Sequence, residues 1–286
     1  MSSDVAVWSR GVAAYPPALH GLGNAPDPLY AIGDRGVLDR QVVAIIGARH
    51  ASSHSLAFAR RLARTLARAG ACVVSGLAIG VDAAAHEGAL EAGGGRTCAV
   101  LGGGIDDGAP ASNRALRERI AAHGLLLSEW PVGVHPDRWM FPHRNRLIAA
   151  LAKATIVVQA SAESGALSTV RVAMGLERQI GVVPGPVDHP GFRGSNALLH
   201  HPGANIIVDP EDALALLSPR VEVTPPPAAY TPDEASVWDA LANGAADIDT
   251  ISIRAHLTIV RCLAAVTALE LAGAIECAVT GEVRRR

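Results

Sequence analysis

VVAIIGARHASSHSLAFARRLARTLARAGACVVSG, residues 42–76, decides the fold. It opens and closes on short apolar runs, VVAIIGA (42–48) and ACVVSG (71–76), each bounded by small residues or turn formers. Between them Leu56, Ala59, Leu62, Ala63 and Leu66 recur at helical spacing, while Arg60, Arg64 and Arg68 fall on another face that reads as solvated surface. Strand, single helix, strand is the right-handed crossover unit of a parallel sheet. Five more runs follow in the same manner: RTCAVLG (96–102), LLLSEW (125–130), TIVVQA (155–160), QIGVVPG (179–185) and NIIVD (205–209). The expected fold class is α/β, a doubly wound, mostly parallel, extended Rossmann-like sheet.

Composition agrees. The chain has 286 residues, 49% of them hydrophobic, enough for one large core and a small appendage. Four Trp, three Tyr and three Phe leave that core to Ala, Val, Leu and Ile, which suits helices packed closely on a parallel sheet. Residues 1–40 read as a lead-in segment, 41–217 as the sheet domain and 218–229, with its run of prolines, as a linker. In residues 230–286, Thr231, Pro232 and Glu234 make a helix start with a cap, a first-turn proline and a capping-box acid. Two more helical stretches and a strand-like tail complete a small winged-helix-like domain.

Cys72, Cys98, Cys262 and Cys277 are scattered without a CxxC pair, so neither a zinc site nor a disulfide framework is expected. The start lacks a basic end followed by an apolar stretch, and no run of about 20 apolar residues occurs. Secretion and membrane spanning are disfavoured, and the chain reads as cytoplasmic.

In an open parallel sheet ligands bind beyond the carboxyl ends of the strands. The residues there are Gly47-Ala48-Arg49, Ser75-Gly76 running on to Gly80 and Asp82, Gly102-Gly103-Gly104, Ser128-Glu129, Ser164-Gly165 and Pro184-Gly185. Glycine lets backbone N–H groups approach an anion, and a helix starting there adds its positive end. GxGxxG is absent after the first strand, as is the Walker GxxxxGK[ST], so phosphate is expected without a nucleotide cofactor. Asp82 and His86 are two potential ligands and no more, and fixing the loop after Ser75 is the favoured role. No GxSxG surrounds Ser75, which argues against a hydrolase.

FPHRNRL (141–147) concentrates charge in a chain of net charge -2. Trp130, Trp139 and Phe141 are interleaved with Arg138, Arg144 and Arg146, the combination of stacking faces and guanidinium groups that sequence-tolerant single-strand binding uses. Equally, the aromatics staple a long loop onto the domain and the arginines sit on an exposed helix start. Near-neutral total charge requires any nucleic-acid binding to come from a local patch. Arg284, Arg285 and Arg286 form a competing basic cluster, read as a frayed tail.

The motifs GAR (47–49), SGLAIGVDAAAH (75–86), GGGIDDGAPASN (102–113), SEWP (128–131), FPHRNRLIAAL (141–151), SGALSTVRVA (164–173), VPGP (183–186) and GSNALLHHPGA (194–204), in this order, resemble the DprA/Smf family. These are DNA-processing proteins that bind single-stranded DNA and help load the RecA recombinase. The resemblance covers most of residues 15–217, and the tail looks like the family's winged-helix domain. It implies that Arg49, Arg144 and Arg146 contact phosphates, and that Ser75, Gly76, Ser164, Gly165 and Thr169 form pocket walls and backbone donors. Asn113, Asn145 and Asn196 orient loops or contact the nucleic acid. Ala48, Ala109 and Gln159 depart from the usual serine, aromatic and glutamate. Most members carry an extra helical N-terminal domain where this chain has about 40 residues before the first expected strand, which fits a shortened natural form or a truncated chain.

The expected function is therefore that of a non-enzymatic mediator in natural transformation or recombination, with single-stranded DNA, a RecA-type recombinase and a second copy of itself as partners. Three arginine–phosphate contacts give an expected log–log salt slope of about -2. Two alternatives stand beside it. One is a phosphoribohydrolase-type nucleotide enzyme using the same cradle, although its PGGxGT signature is not reproduced. The other makes the winged helix a duplex-DNA reader, against which HLTIVRCLAAVTALELAG (256–273) holds a single arginine.

Overall fold

The first strand of the computed structural model, β1 (Ala6–Trp8), lies at the edge of a nine-stranded sheet, antiparallel to β2 (Leu29–Gly33). The structure describes residues 5–94, 96–217, 230–242, 244–278 and 281–285. Seven strands follow β2: β3 (Val42–Ile46), β4 (Cys72–Ser75), β5 (Thr97–Val100), β6 (Leu125–Ser128), β7 (Ala154–Val157), β8 (Gln179–Val182) and β9 (Ala204–Ile206). These are the seven runs read from the sequence. The order across the sheet is β1-β2-β6-β5-β4-β3-β7-β8-β9, with β3 to β9 parallel and β2 antiparallel to β6.

The chain winds outward from β3 through β4 and β5 to β6, then returns to β7 on the other side of β3. The helices that carry this winding are α1 (Ser53–Arg68), α2 (Val81–Glu91), α3 (Arg114–His123), α4 (Met140–Leu151), α5 (Ala166–Gly175) and α6 (Arg193–Leu198). Because strand residues alternate between faces, Val43 and Ile45 pack with Leu62 and Leu66 of α1. Val42, Ala44 and Ile46 point the other way, into a core with Leu147 and Ile148 of α4 and Val170 of α5. α1 is started by Ser52, whose Oγ accepts from Ser55 N at 3.1 Å. Gln159 accepts from Ser52 N at 2.9 Å and so ties that start to the end of β7.

The chain divides into two units, 1–219 and 220–286. The lead-in 1–40 contributes β1 and β2 to the sheet, and the linker 218–229 lies outside the described residues. The second unit holds α7 (Pro232–Ala240), α8 (Ile248–Ala255), α9 (Ile259–Leu271) and the hairpin β10 (Ile275–Cys277) and β11 (Val283–Arg285), a winged-helix arrangement. Thr231 and Glu234 form the expected capping box on α7. Among the described residues no single helix is long and apolar enough to cross a membrane.

Candidate nucleic-acid interface

Strand order reverses between β3 and β7, and the carboxyl ends of these two neighbours open a crevice. A cavity of about 270 Å³ sits there, lined among others by Gly47 and Arg49 after β3, Arg144 and Asn145 of α4, and Ser164, Gly165 and Thr169 at the start of α5. The first turn of α5 therefore meets the cavity with its positive end. Phe141 forms another wall and, with Arg49 and Ala78, also lines a second hollow of about 210 Å³, whose other walls are Gly76, Ile79, Gly108 and Pro110.

Arg144 is the unusual group here. Its side chain is buried, the residue only 4% exposed, and Nη1 donates to the carbonyl of Val100, while Nε has no partner. Burial pulls its pKa down to about 10, against the opposing pull of Asp82. Gly76 makes room for it, since a Cβ there would overlap the guanidinium. Asp82 lines the cavity too, with Oδ2 accepting from the N–H of Gly76 at 3.1 Å and of Ala78 at 3.4 Å, which fixes the loop after β4. Desolvation raises its pKa, opposed by Arg144. Arg49 is exposed, its guanidinium carbon 5.5 Å from the centroid of the Phe141 ring. Phe141 in turn needs Gly102 beneath it, where a Cβ would stand 2.7 Å from its Cδ1.

Six of the eleven residues singled out from the sequence line the main cavity: Arg49, Arg144, Asn145, Ser164, Gly165 and Thr169. The others have different work. Gly76 lines the smaller hollow, and its N–H is taken by Asp82. Ser75 donates to Ile45 O at 2.7 Å inside the core. Asn113 donates to Leu77 O at 3.0 Å, steadying a residue held at φ 55°. Asn196 brackets Gly185, accepting from its N–H at 3.1 Å and donating to its carbonyl at 3.0 Å.

Arg146 leaves the cavity altogether. It is closed on Glu129 by hydrogen bonds of 2.7 and 2.6 Å, and donates to Asn24 O at 2.9 Å and His143 O at 3.0 Å. Residues two apart on a helix do not share a face, so the spacing that suggested a shared arginine site places the two guanidinium groups on different sides. The aromatics divide likewise. Trp130, Trp139 and His143 pack edge-to-face at 5.7 Å between successive rings, a staple over the loop, whereas Phe141 faces the hollows. Sequence reasoning named Gly47, Asp82 and Phe141 without counting them as site residues; their positions at strand and helix ends were the available signal.

His86, buried on α2, bonds through Nδ1 to Thr97 Oγ1 of β5 at 2.7 Å and takes no part in the loop. Thr97 Oγ1 itself donates to Val73 O at 2.8 Å, so Nδ1–H is the donor to it and Nε2 is left without a partner. Burial drives its pKa down to about 3. No group of three or more metal-ligating side chains occurs among the described residues.

Residues 6–218 match the profile of the family described as DNA recombination-mediator protein A. The chain belongs to the DprA/Smf family. Residues 221–278 match the DprA winged helix domain. A Mycobacterium tuberculosis protein carrying the DprA name is 39% identical over 265 residues, covering 89% of this chain and 68% of the relative. Among solved structures, DprA from Streptococcus pneumoniae superposes with a TM-score of 0.70 at 33% identity, covering 75% of this chain and 74% of that one. DNA processing protein A from Helicobacter pylori, described for its single-stranded DNA binding mode, gives 0.68 at 33% identity, covering 76% and 96%. DprA/Smf proteins are DNA-processing mediators, not enzymes.

Proposed function

We propose that the cavity between β3 and β7 seats the sugar–phosphate backbone of single-stranded DNA and that the bound strand is handed to a RecA-type recombinase. One observation carries this reading: a nearly dry guanidinium, Arg144, with an unpartnered Nε, stands in the wall of a hollow that also meets the positive end of α5. Burying a cation is costly, and a phosphate entering the cavity offsets that cost through its opposite charge. Arg49 at the rim adds a second, solvated cation. Phe141 offers a ring face beside the smaller, mostly apolar hollow, where a base stacks. Bases reach that ring only when they are out of a duplex stack, which makes the site selective for single strands. The binding mode for which the Helicobacter pylori relative is described supports the same ligand class.

The contribution of Arg146 is structural, so two arginine–phosphate contacts replace the three expected from sequence. A homodimer formed through the sheet unit belongs to this proposal: β9 is one of the sheet's two edge strands, and Ile206 on it and Val208 just beyond are exposed. So do a cytoplasmic location and a place in natural transformation or general recombination. The nucleotide-enzyme alternative falls away with membership of a mediator family. The test is titration of the full chain with fluorescent oligothymidylate and with a matching duplex at two salt concentrations. Tighter, salt-sensitive binding of the single strand is expected; equal affinity for the two would refute the proposal.

A further inference from the structure

The helix α9 is apolar on two opposite sides. Its inner side, Cys262, Ala265, Val266 and Leu269, fills the core of the second unit. Its outer side runs Val260, Leu263, Ala264, Thr267, Leu271, the i, i+3, i+4, i+7, i+11 spacing of a contact stripe. Val260 is 77% exposed and Leu271 85%, and Ile253 on α8 adds a third aliphatic side chain, 74% exposed. A second, exposed apolar stripe on a helix already packed in its core marks a surface that another molecule covers.

The charges around the stripe say what covers it. Residues 230–286 carry eight acidic side chains against five arginines. Glu270 follows Leu263 by seven residues on the same side of α9, and Asp249 precedes Ile253 by four on α8; both are exposed. Among the described residues the arginines are engaged: Arg254 donates to Ala240 O at 3.5 Å, Arg261 is held by Asp233, Arg284 by Glu276, and Arg285 lies 4.3 Å from the centroid of the Trp238 ring. Duplex DNA would find an apolar stripe bordered by acids in a net acidic unit, without arginines or lysines along it to grip phosphates. A second copy would set like acids at the border of the contact. The complementary occupant is apolar along one side and basic at its edges.

We propose that the outer side of α8 and α9 is a docking surface for an amphipathic helix of a partner protein, with aliphatic residues on the contact side and lysine or arginine on the flanks. This surface makes the winged helix a protein-recruiting module, independent of the strand-binding cavity.

Two labelled 18-residue peptides test this with the full chain by fluorescence anisotropy. One places leucine at i, i+3, i+4, i+7 and i+11 with lysine and arginine elsewhere, and its twin has glutamate at the charged positions. The basic peptide is expected to bind, its twin to bind at least about tenfold more weakly, and Val260→Asp and Leu263→Asp each to weaken the basic peptide about tenfold. Both substitutions are at exposed positions, so the thermal unfolding midpoint should stay where it is. Equal binding of the twins, or a basic-peptide affinity that ignores Val260→Asp, overturns the proposal. So does a concentration-dependent self-association, or a duplex-DNA affinity, that Val260→Asp abolishes, because either assigns the surface another occupant.

Discussion

Arg144 and Arg146 stand two positions apart on α4 and serve different ends: the first guanidinium walls the cavity between β3 and β7, and the second is closed on Glu129 by two hydrogen bonds. The same short motif thus supplies one cavity-lining cation and one structural ion pair.

Loss of Arg146 is expected to damage stability before binding. Both side chains of the pair are about nine-tenths buried, and Arg146→Ala leaves the Glu129 carboxylate in the interior with His143 Nε2, 3.6 Å away, as its remaining ion-pair neighbour, at a cost of about 3 kcal/mol. Urea unfolding should show the lowered midpoint, while oligothymidylate affinity of the folded fraction and its salt slope hold. Glu129→Leu combined with Arg146→Leu removes the buried carboxylate as well, and with it the 3.6 Å contact to His143, and should recover part of the loss.

Gly76→Ala should act through Arg144. The added Cβ collides with the guanidinium, forcing it from its seat at a cost of about 1–3 kcal/mol. The expected outcome is a lower unfolding midpoint together with weaker single-strand binding, which separates this variant from Arg146→Ala.

His86 makes stability pH-dependent in a definite direction. Its folded pKa of about 3 lies below the ordinary 6.5, so the unfolded chain binds the extra proton between those values. Stability from this group is intact above pH 6.5, falls with decreasing pH by up to about 1.4 kcal/mol per unit, and is flat below pH 3. Asp82, whose folded pKa is raised by burial, contributes the opposite slope: its stabilisation is full below the unfolded carboxylate value and is lost as pH rises through the folded one. His86→Gln is therefore expected to flatten the acid limb of unfolding free energy against pH; an unchanged limb would show that His86 is not the group responsible.

Much of this was legible in the sequence. The seven parallel strands read as apolar runs, and their glycine-rich ends marked the crevice. β1 and β2 were not readable, because Ala6–Trp8 is only three residues long and both lie in a segment punctuated by prolines. The side chains Ser75, Asn113 and Asn196 have the right chemistry for a ligand yet spend it on Ile45, Leu77 and Gly185. Their orientation depends on the strand and turn each occupies, and motif order carries no record of that. Arg146 follows the same rule, since a partner from β6's end, 17 residues earlier in the chain, claims it.

The central claim rests on Arg49 and Arg144 neutralising phosphates in the cavity at the β3–β7 reversal. The most direct measurement is the salt dependence of oligothymidylate binding by the native chain and by Arg49→Ala, whose exposed side chain can be removed without disturbing the core. With two contacts the native log–log slope should be about -1.4, moving to about -0.7 in the variant with a matching fall in affinity. An Arg49→Ala protein with native affinity and native slope would contradict it.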